Sequence, residues 1–420
     1  MQRKLKIIAI LFFCIISGYM AGSLTYLSQL PAEIRLTEFS THSLHIGLPF
    51  SATLQETTAV SKVDDSRLGS LTLQTESSGT AQMTIGAFGL SFRRVTLDIV
   101  PEMEIIPLGH AIGVRINTDG VMVLGTGSFL GADGETYRPA QNLLHAGDLI
   151  MYADDTEITS KESLSDYVAA SQGEIILRVN RGGSETKVTL VPQVAAKDDV
   201  RRIGAWIRDS TKGIGTLTFF NPATGEFGAL GHGILDVDTK TLLSVKSGTI
   251  MPSSVLSVSK GVRGIPGELE GQVEASIIWG RIKINCANGI FGEIDSASAS
   301  RFADLPRFPV ASRSQIKEGR ATILTNVSGT DVREYEIQIE SVNVNAADET
   351  KGIVIRITDP ELLKQTGGIV QGMSGSPILQ DGRIIGAVTH VFVQDPTKGY
   401  AIFIEGMLKA TEGVRRVEVV

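Results

Sequence analysis

The stretch that most constrains this chain is Gly372-Met373-Ser374-Gly375-Ser376-Pro377. A glycine-rich turn of this kind can expose the Ser374 hydroxyl while the backbone N–H groups of Gly372 and Ser374 point at one spot, where a tetrahedral oxyanion would form. Residues 378–391 follow as two apolar runs joined by Asp381-Gly382, which predicts a β-hairpin. A phosphate-binding loop would need a following helix and usually a lysine. The turn therefore favours a nucleophilic serine, with an ordinary Gly/Ser turn as the alternative.

A serine nucleophile needs a base, and the chain has six histidines. His232 lies between two glycines at the end of an apolar run, where a strand could present it at a cleft. It is far enough from Ser374 for the two to lie on separate halves of a double β-barrel. His390, on the predicted hairpin, is better placed to line a substrate pocket. For a single histidine, a structural role satisfied by a carbonyl is the alternative.

The third member of a triad is a carboxylate that holds the imidazole. Asp236 and Asp238 follow His232 so closely that a solvated turn suits them better. Asp295 has the intermediate position that is usual in chymotrypsin-like chains, whereas Asp359 follows the apolar run 353–357 shortly before Ser374. The order His, Asp, Ser holds for both, and spacing leaves the choice open.

The chain begins with Arg3, Lys4 and Lys6, followed by the apolar run 7–16 and moderately apolar residues to Leu27. A basic region before an apolar region is typical of a cleaved signal peptide or an uncleaved signal anchor, so we assign residues 1–28 to one of these. Because the positive charges stay in the cytoplasm, the rest of the chain is expected outside it, with the N-terminus at the membrane.

Composition favours a mainly β protein of two or three domains. The 420 residues are 42% hydrophobic and include 45 glycines, with short Val/Ile/Thr runs between turns. Cys14 and Cys286 lie in different regions, so no disulfide framework is expected. A net charge of −7 without basic clusters argues against nucleic-acid binding. We expect no metal and no cofactor.

Residues 31–101 read as short strands between turns, which predicts a small β-rich domain. Within it, the segment Gln55–Arg67 is polar and free of aromatic residues, so it is predicted to be exposed. Exposed segments between strands are where proteolytic nicking concentrates. We therefore expect a self-processing cut in this segment.

Residues 103–193 resemble a bacterial PDZ domain. The features are a glycine-flanked loop at 107–114, the run Ala146-Gly147-Asp148-Leu149-Ile150, a helix from Ser160 through Ala170 with Ser160 as its cap, and two closing strands. A PDZ groove adds an extended peptide as an extra strand. The resemblance implies that Leu108, Gly109, Ile112 and Gly113 bind the peptide, with its terminal carboxylate at Leu108-Gly109. A β-rich spacer without a ligand is the alternative.

Residues 200–420 hold both His232 and Ser374. Short, evenly spaced strands with few helices predict a chymotrypsin-like double β-barrel peptidase domain.

The N-terminal segment, the PDZ-like order of elements, Leu230-Gly231-His232-Gly233 and residues 368–378 together resemble the stage IV sporulation protein B family. These are PDZ-containing signalling serine peptidases of endospore-forming bacteria. The resemblance implies that His232, Asp359 and Ser374 are catalytic. It also implies delivery through the forespore inner membrane to the intermembrane space, self-cleavage, and cleavage of a regulatory membrane protein that restrains an intramembrane protease processing a sigma factor.

Two functions from different classes fit this sequence. One is a serine endopeptidase acting on a peptide or protein, with the PDZ domain selecting or gating the substrate. The other is a non-catalytic PDZ adaptor with a peptidase-like scaffold. Because His232, an acid and Ser374 occur in order beside a complete oxyanion turn, the sequence favours the enzyme.

Overall fold

The computed structural model describes residues 32–47, 49–55, 58–64 and 70–417, together with five residues between 18 and 25. Apart from those five, the predicted signal peptide or anchor at 1–28 lies outside the described residues. No helix in the described part of the chain is both long enough and apolar enough to span a membrane. The fold is mainly β, as the composition predicted.

The N-terminal domain consists of seven strands: β1 (Glu33–Thr37), β2 (Thr41–His45), β3 (Ser51–Leu54), β4 (Val60–Asp64), β5 (Ser70–Thr75), β6 (Gly79–Ala87) and β7 (Leu90–Val100). They form one sheet in the order β1-β7-β6-β3 and a second in the order β2-β5-β4. Alternate residues of β6, including Ala81, Met83 and Ile85, are buried, which is the period of a strand with one face on a core. Both sheets contribute to that core.

The predicted exposure of Gln55–Arg67 is wrong for its central part. β4 pairs with β5, with Ser61 opposite Gln74, and both Ala59 and Val60 are buried. The sequence signal of this strand is weak, because no aromatic or large aliphatic residue marks it. Residues 56, 57 and 65–69 lie outside the described residues.

The next region, which we call the PDZ-like unit, contains the second half of β8 (Glu104–Thr126), β9 (Phe129–Leu130), β10 (Thr136–Tyr137), β11 (Leu149–Ala153), β12 (Thr156–Glu157), helix α1 (Lys161–Ala170), β13 (Ile175–Arg181), β14 (Ser184–Leu190), β15 (Gln193–Val194) and β16 (Arg201–Arg202). Helix α1 begins as predicted. Ser160 and Ser163 form a reciprocal capping box. Leu164 and Val168 on one face of α1 pack into the core.

The Ala-Gly-Asp run of this unit forms a tight, charged corner. Gly147 has a φ angle of +92°, and Asp148 is buried with 1% of its surface exposed. Arg181 donates from Nε and Nη2 to the two carboxylate oxygens of Asp148, at 2.7 and 2.6 Å. This bidentate pair compensates the buried charge and joins the start of β11 to the end of β13.

The first barrel uses the first half of β8 with β17 (Ala205–Phe220), β18 (Glu226–Ala229), β19 (Ser247–Ser259), β21 (Gly280–Cys286) and β22 (Gly289–Ile294); the hairpin partner β20 (Glu268–Val273) and helix α2 (Ser296–Ala303) flank it. The order β8-β17-β18-β22-β21-β19 closes on itself, because β19 pairs with β8 through Ile250 and Val114. Apolar residues such as Ile112, Phe227 and Ile282 fill the interior.

The second barrel contains β24 (Gly319–Asn326), β25 (Val332–Val342), β26 (Ile353–Ile357), β27 (Pro377–Gln380), β28 (Arg383–Phe392) and β29 (Asp395–Phe403), closed in the order β24-β25-β26-β29-β28-β27. Strand β23 (Phe308–Pro309), 3-10 helices at Arg313–Gln315 and Glu349–Lys351, and helices α3 (Pro360–Thr366) and α4 (Ile404–Val417) surround it. The predicted hairpin β27–β28 is present. Asp381 and Gly382 both have positive φ, as a two-residue hairpin turn of this twist requires. The predicted double β-barrel is therefore confirmed.

Two strands run through both the PDZ-like unit and the first barrel. Residues 106–117 of β8 pair with β17 in the barrel, whereas residues 122–126 pair with β17 residues 205–208 in the PDZ-like unit. Gly120, with a φ angle of +104°, lies between the two halves of β8. The passage between the first barrel and the PDZ-like unit therefore lies inside two continuous strands, between residues 117 and 122 of β8 and between residues 208 and 210 of β17.

Candidate active site

Ser374 lies in a turn that both barrels hold in place. Gly372 and Gly375 have φ angles of +99° and +97°, a region that favours glycine. Thr216 of β17 donates from Oγ1 to the Gly372 carbonyl at 2.7 Å and from its N–H to the Ser374 carbonyl at 3.0 Å. The Gly375 N–H donates to the Val388 carbonyl of β28 at 2.7 Å.

The two N–H groups predicted to bind an oxyanion belong to this turn. Neither the N–H of Gly372 nor that of Ser374 donates a hydrogen bond to any residue that the structure describes. Backbone donors in folded proteins are nearly always paired. Two unpaired donors beside a serine hydroxyl are therefore available to a ligand oxygen.

His232 is presented at the end of β18 by a sharp change in backbone direction. Leu230 and Gly231 have φ angles of +70° and +71°. The ring nitrogen Nδ1 lies 3.0 Å from the Gly233 carbonyl oxygen. Because a carbonyl only accepts, Nδ1 carries the proton, and in the neutral ring Nε2 is the basic nitrogen.

Backbone packing brings the serine turn against the histidine turn. A Cβ added to Gly375 would lie 2.6 Å from the Leu230 nitrogen, and one added to Gly231 would lie 3.1 Å from Cγ2 of Thr389. Only glycine permits these approaches. The turn that carries the predicted nucleophile thus contacts the turn that carries the predicted base where the two barrels meet, and we call this partly exposed junction the cleft.

The side chains in this cleft are arranged with Ser374 turned away from the base. Its Oγ donates to the Thr389 carbonyl at 2.7 Å, and no hydrogen bond joins Ser374 to His232. The ring of His232, which is partly buried, and the ring of His390, which is exposed, have centroids 5.0 Å apart. Catalytic hydrogen bonds are often formed only when substrate binds, so Ser374 has to leave Thr389 before His232 can accept its proton.

Burial keeps His232 neutral in this cleft. It lowers the pKa of His232 below 6.5, and the Gly233 carbonyl opposes this only in part. Burial, His232 and Lys351 also lower the pKa of His390, against a smaller effect of Asp348. A neutral imidazole is the form that accepts a proton.

This charge state predicts the acid limb of the pH–rate profile. As the pH falls, kcat/KM should stay level through neutrality and decline only below pH 6.5, because His232 becomes protonated at a pKa below its ordinary value. Initial rates on a fluorogenic peptide between pH 4.5 and 8 would show this. A limb centred above pH 7 would contradict a buried, neutral base.

The structure does not bring Asp359 to His232. Asp359 is the N-cap of α3, where its Oδ1 accepts from the N–H groups of Glu361 and Leu362, each at 2.9 Å. Asp359 lies just after the C-terminal end of β26. Lys351, whose charge lowers the pKa of the nearby His390, lies just before the N-terminal end of the same strand. A five-residue strand extends roughly 17 Å. In this structure the role of Asp359 is that of a helix cap.

The other predicted carboxylates are also engaged elsewhere. Asp295 precedes α2 and lies 3.6 Å from Arg281. Asp236 and Asp238 both pair with Arg208. Within the described residues, no carboxylate is hydrogen-bonded to His232, and the Gly233 carbonyl takes the position at Nδ1 that a triad carboxylate would occupy.

Two substitutions separate a cap from a catalytic acid at Asp359. Asparagine caps a helix as well as aspartate does, so Asp359→Asn should lower kcat less than tenfold, whereas Asp359→Ala should cost about 1 kcal/mol of stability. A triad aspartate replaced by asparagine would instead lower kcat about 10⁴-fold. Steady-state kinetics with thermal unfolding of both variants distinguish the two roles.

The four residues predicted to bind a PDZ ligand lie in the first barrel. Leu108 and Ile112 are buried. A Cβ on Gly109 would lie 2.7 Å from the Leu324 oxygen, and one on Gly113 would lie 2.4 Å from Cγ1 of Val273. These positions are covered by the protein itself, so the predicted assignment is corrected. A glycine-flanked loop before a strand is what a PDZ peptide-binding loop would show in the sequence. The sequence does not show which distant strand pairs with that strand.

The PDZ-like unit has a different groove. A cavity of about 480 Å³ lies between α1 and residues 200–207 and is lined by Leu164, Val168 and Trp206, among others. One edge of residues 205–208 pairs with β8. The opposite edge of this stretch pairs with no strand in the described part of the chain, which leaves it open to an added strand.

Two threonines outside the sequence motifs hold the turn that carries Ser374. Thr216 fixes the carbonyls of Gly372 and Ser374. Thr389 accepts the serine hydroxyl through its carbonyl, while its own Oγ1 donates to the Thr350 carbonyl at 2.6 Å. The position of Thr389 directly before His390 was the available signal.

Comparison with known proteins agrees with this site. The family model described as SpoIVB peptidase S55 matches residues 199–408, half of the chain. The search of curated proteins found no match. Among solved structures, the chain is similar to the PDZ domain of the SdrC-like protein from Listeria monocytogenes, at 24% identity over 21% of this chain and 87% of that one, with a TM-score of 0.18. The family match covers the turns that carry His232 and Ser374 and confirms the resemblance seen in the sequence. The chain belongs to the SpoIVB peptidase S55 family of serine peptidases.

Proposed function

We propose that Ser374 is the nucleophile, His232 the general base, and the N–H groups of Gly372 and Ser374 the oxyanion hole of this serine peptidase. The observation that carries the proposal is the pair of unpaired N–H groups beside Ser374, in the same cleft as a buried, neutral imidazole. Donors that are already in place cost no reorganisation when the oxyanion forms.

The reaction follows from these positions. Ser374 Oγ leaves the Thr389 carbonyl, passes its proton to Nε2 of His232 and bonds to the substrate carbonyl carbon. The carbonyl electrons move to the oxygen, which the two N–H groups bind. The imidazolium then protonates the leaving amine, and a water repeats the sequence to release the acyl group. The Gly233 carbonyl stabilises the charged ring through Nδ1–H.

His390 is proposed to line the substrate pocket. It is exposed, follows Thr389 on β28 and lies beside His232. Its backbone belongs to the end of β28 nearest Ser374, where an extended substrate can lie along the strand. The groove between α1 and residues 200–207 is a second place at which an extended chain can be held, away from the catalytic cleft.

We further propose that the substrates include this chain itself and a regulatory membrane protein of an intramembrane protease complex. Family membership supports a sporulation peptidase, and the N-terminal sequence supports delivery through the forespore inner membrane to the intermembrane space. Self-cleavage would release the catalytic region from the membrane. Because β4 is paired, the cut is expected within residues 55–67 but outside Val60–Asp64.

A time course of the purified full chain tests self-cleavage. New N-termini, identified by terminal sequencing, should arise within residues 55–67, outside β4, and should be absent from Ser374→Ala protein. Identical fragments from that variant would assign the cut to a contaminating protease. Cleavage of neither the chain nor casein by folded protein would instead favour the adaptor function.

A further inference from the structure

The segment that follows His232 leaves the active site and packs on the PDZ-like unit. We call residues 233–246 the connector. At its far end, Nζ of Lys246 lies 2.7 Å from Oε1 of Glu157, which follows β11 in the PDZ-like unit. The connector therefore links the turn that carries His232 to the PDZ-like unit.

On the peptidase side, Asn285 of β21 fixes the beginning of the connector. Its Oδ1 accepts from the Ile234 N–H at 2.8 Å, and its Nδ2 donates to the carbonyls of Ile234 and Leu243, each at 2.9 Å. The Gly233 N–H donates to the Ala287 carbonyl at 3.2 Å. These bonds set the position of the Gly233 carbonyl, which orients the His232 ring.

On the other side, Arg208 holds the middle of the connector. Its Nη1 lies 2.8 Å from Oδ2 of Asp236 and its Nη2 lies 3.0 Å from Oδ2 of Asp238. Asp236 is completely buried, and its Oδ1 accepts from the N–H groups of Asp238 and Thr239. A buried carboxylate with this many partners fixes both its own turn and the guanidinium.

Arg208 belongs to the part of β17 that completes the PDZ-like unit. It is opposite Met122 of β8, and Met122 forms a small buried cluster with Leu149 and the connector residue Leu243. Arg208 is also one residue beyond Ile207, which lines the groove beside α1. A continuous set of contacts thus runs from that groove through Ile207 and Arg208 to Asp236 in the connector.

We infer that Arg208, Asp236 and Asn285 are positioning residues for the peptidase reaction: they let the PDZ-like unit set the orientation of His232 through the connector. This inference rests on the proposed role of His232 as general base. None of the three residues touches the reacting atoms. Small displacements of a catalytic group lower the rate strongly, whereas substrate binding along β28 is unaffected.

The test uses the purified full chain with Arg208→Lys, which keeps the charge that Asp236 needs but lacks the two-pronged guanidinium. Hydrolysis of fluorescein-labelled casein should show kcat lowered about 10- to 100-fold with KM within twofold. Labelling of Ser374 by a fluorophosphonate should slow by the same factor. The matched control is Arg35→Lys, in the surface pair with Asp98 of the N-terminal domain, which should leave both rates unchanged.

Asn285→Ser provides a second variant should Arg208→Lys fail to fold, as judged by its thermal unfolding midpoint. It removes the two donors to the connector and should give the same split between kcat and KM. Unchanged kcat in either folded variant, or a change in KM alone, would overturn the inference. Normal activity of His232→Ala would instead show that His232 is not the general base. That result would refute the proposed function and not the role of the three positioning residues.

Discussion

Replacing Ser374 with alanine should lower peptide hydrolysis about 10⁶-fold. The Ser374 hydroxyl oxygen is the atom that attacks the substrate. The hydrogen bonds that hold its turn use backbone carbonyls and a backbone N–H, so they do not depend on this hydroxyl. The turn is held by Thr216 and Val388 through backbone groups, so the thermal unfolding midpoint should change little. Among the residues that the structure describes, the variant loses one side-chain hydrogen bond, the one to the Thr389 carbonyl.

The measurement is casein hydrolysis by purified Ser374→Ala and unmodified protein, with fluorophosphonate labelling followed by mass spectrometry. The label should be found on Ser374 in the unmodified protein and should be missing from the variant. Hydrolysis by the variant at a near-normal rate would refute Ser374 as the nucleophile.

His232→Ala should match the effect of Ser374→Ala, because nucleophile and base act as one unit in serine peptidases. The double variant should therefore be no slower than either single one. His390→Ala is the matched control, since its ring lies 5.0 Å from that of His232. It should change KM more than kcat, as expected of a residue that lines the substrate pocket.

Steady-state kinetics of the three variants at pH 7.5 would establish this ranking. If His390→Ala were the inactive variant and His232→Ala retained activity, the base would have to be reassigned to His390. Additive losses in the double variant would show that His232 does not act through Ser374.

The catalytic turns could be predicted because their signals are local. A glycine is required wherever φ is positive or backbones approach closely, so the glycines around Ser374 and His232 mark both turns. Helix α1 was similarly predictable from its serine cap. Long-range strand pairing is not written in any short stretch, which is why the partner of β8 and hence the burial of Leu108 could not be foreseen.

Asp359 has a local signal of its own, that of a helix start. An aspartate followed by proline is the ordinary beginning of a helix, with the carboxylate as cap and the proline at the first helical position. The structure has this arrangement at Asp359-Pro360. By contrast, no local pattern around His232 identifies the Gly233 carbonyl as the group that accepts a hydrogen bond from its Nδ1–H.

The continuity of β8 determines which pieces of the protein can exist alone. A fragment beginning after residue 200 would lack β8, one of the six strands of the first barrel, because residues 106–117 of β8 pair with β17. A fragment of residues 103–193 would lack residues 205–208 and expose an unpaired edge, which invites aggregation. We therefore expect neither fragment to complete its sheet alone, and we expect the two pieces to stay paired through β8 and β17 after a cut between them. Because these pairings join residues about a hundred positions apart, the PDZ-like unit is complete only once residues 205–208 have been synthesised, and the first barrel only once β22 has been synthesised.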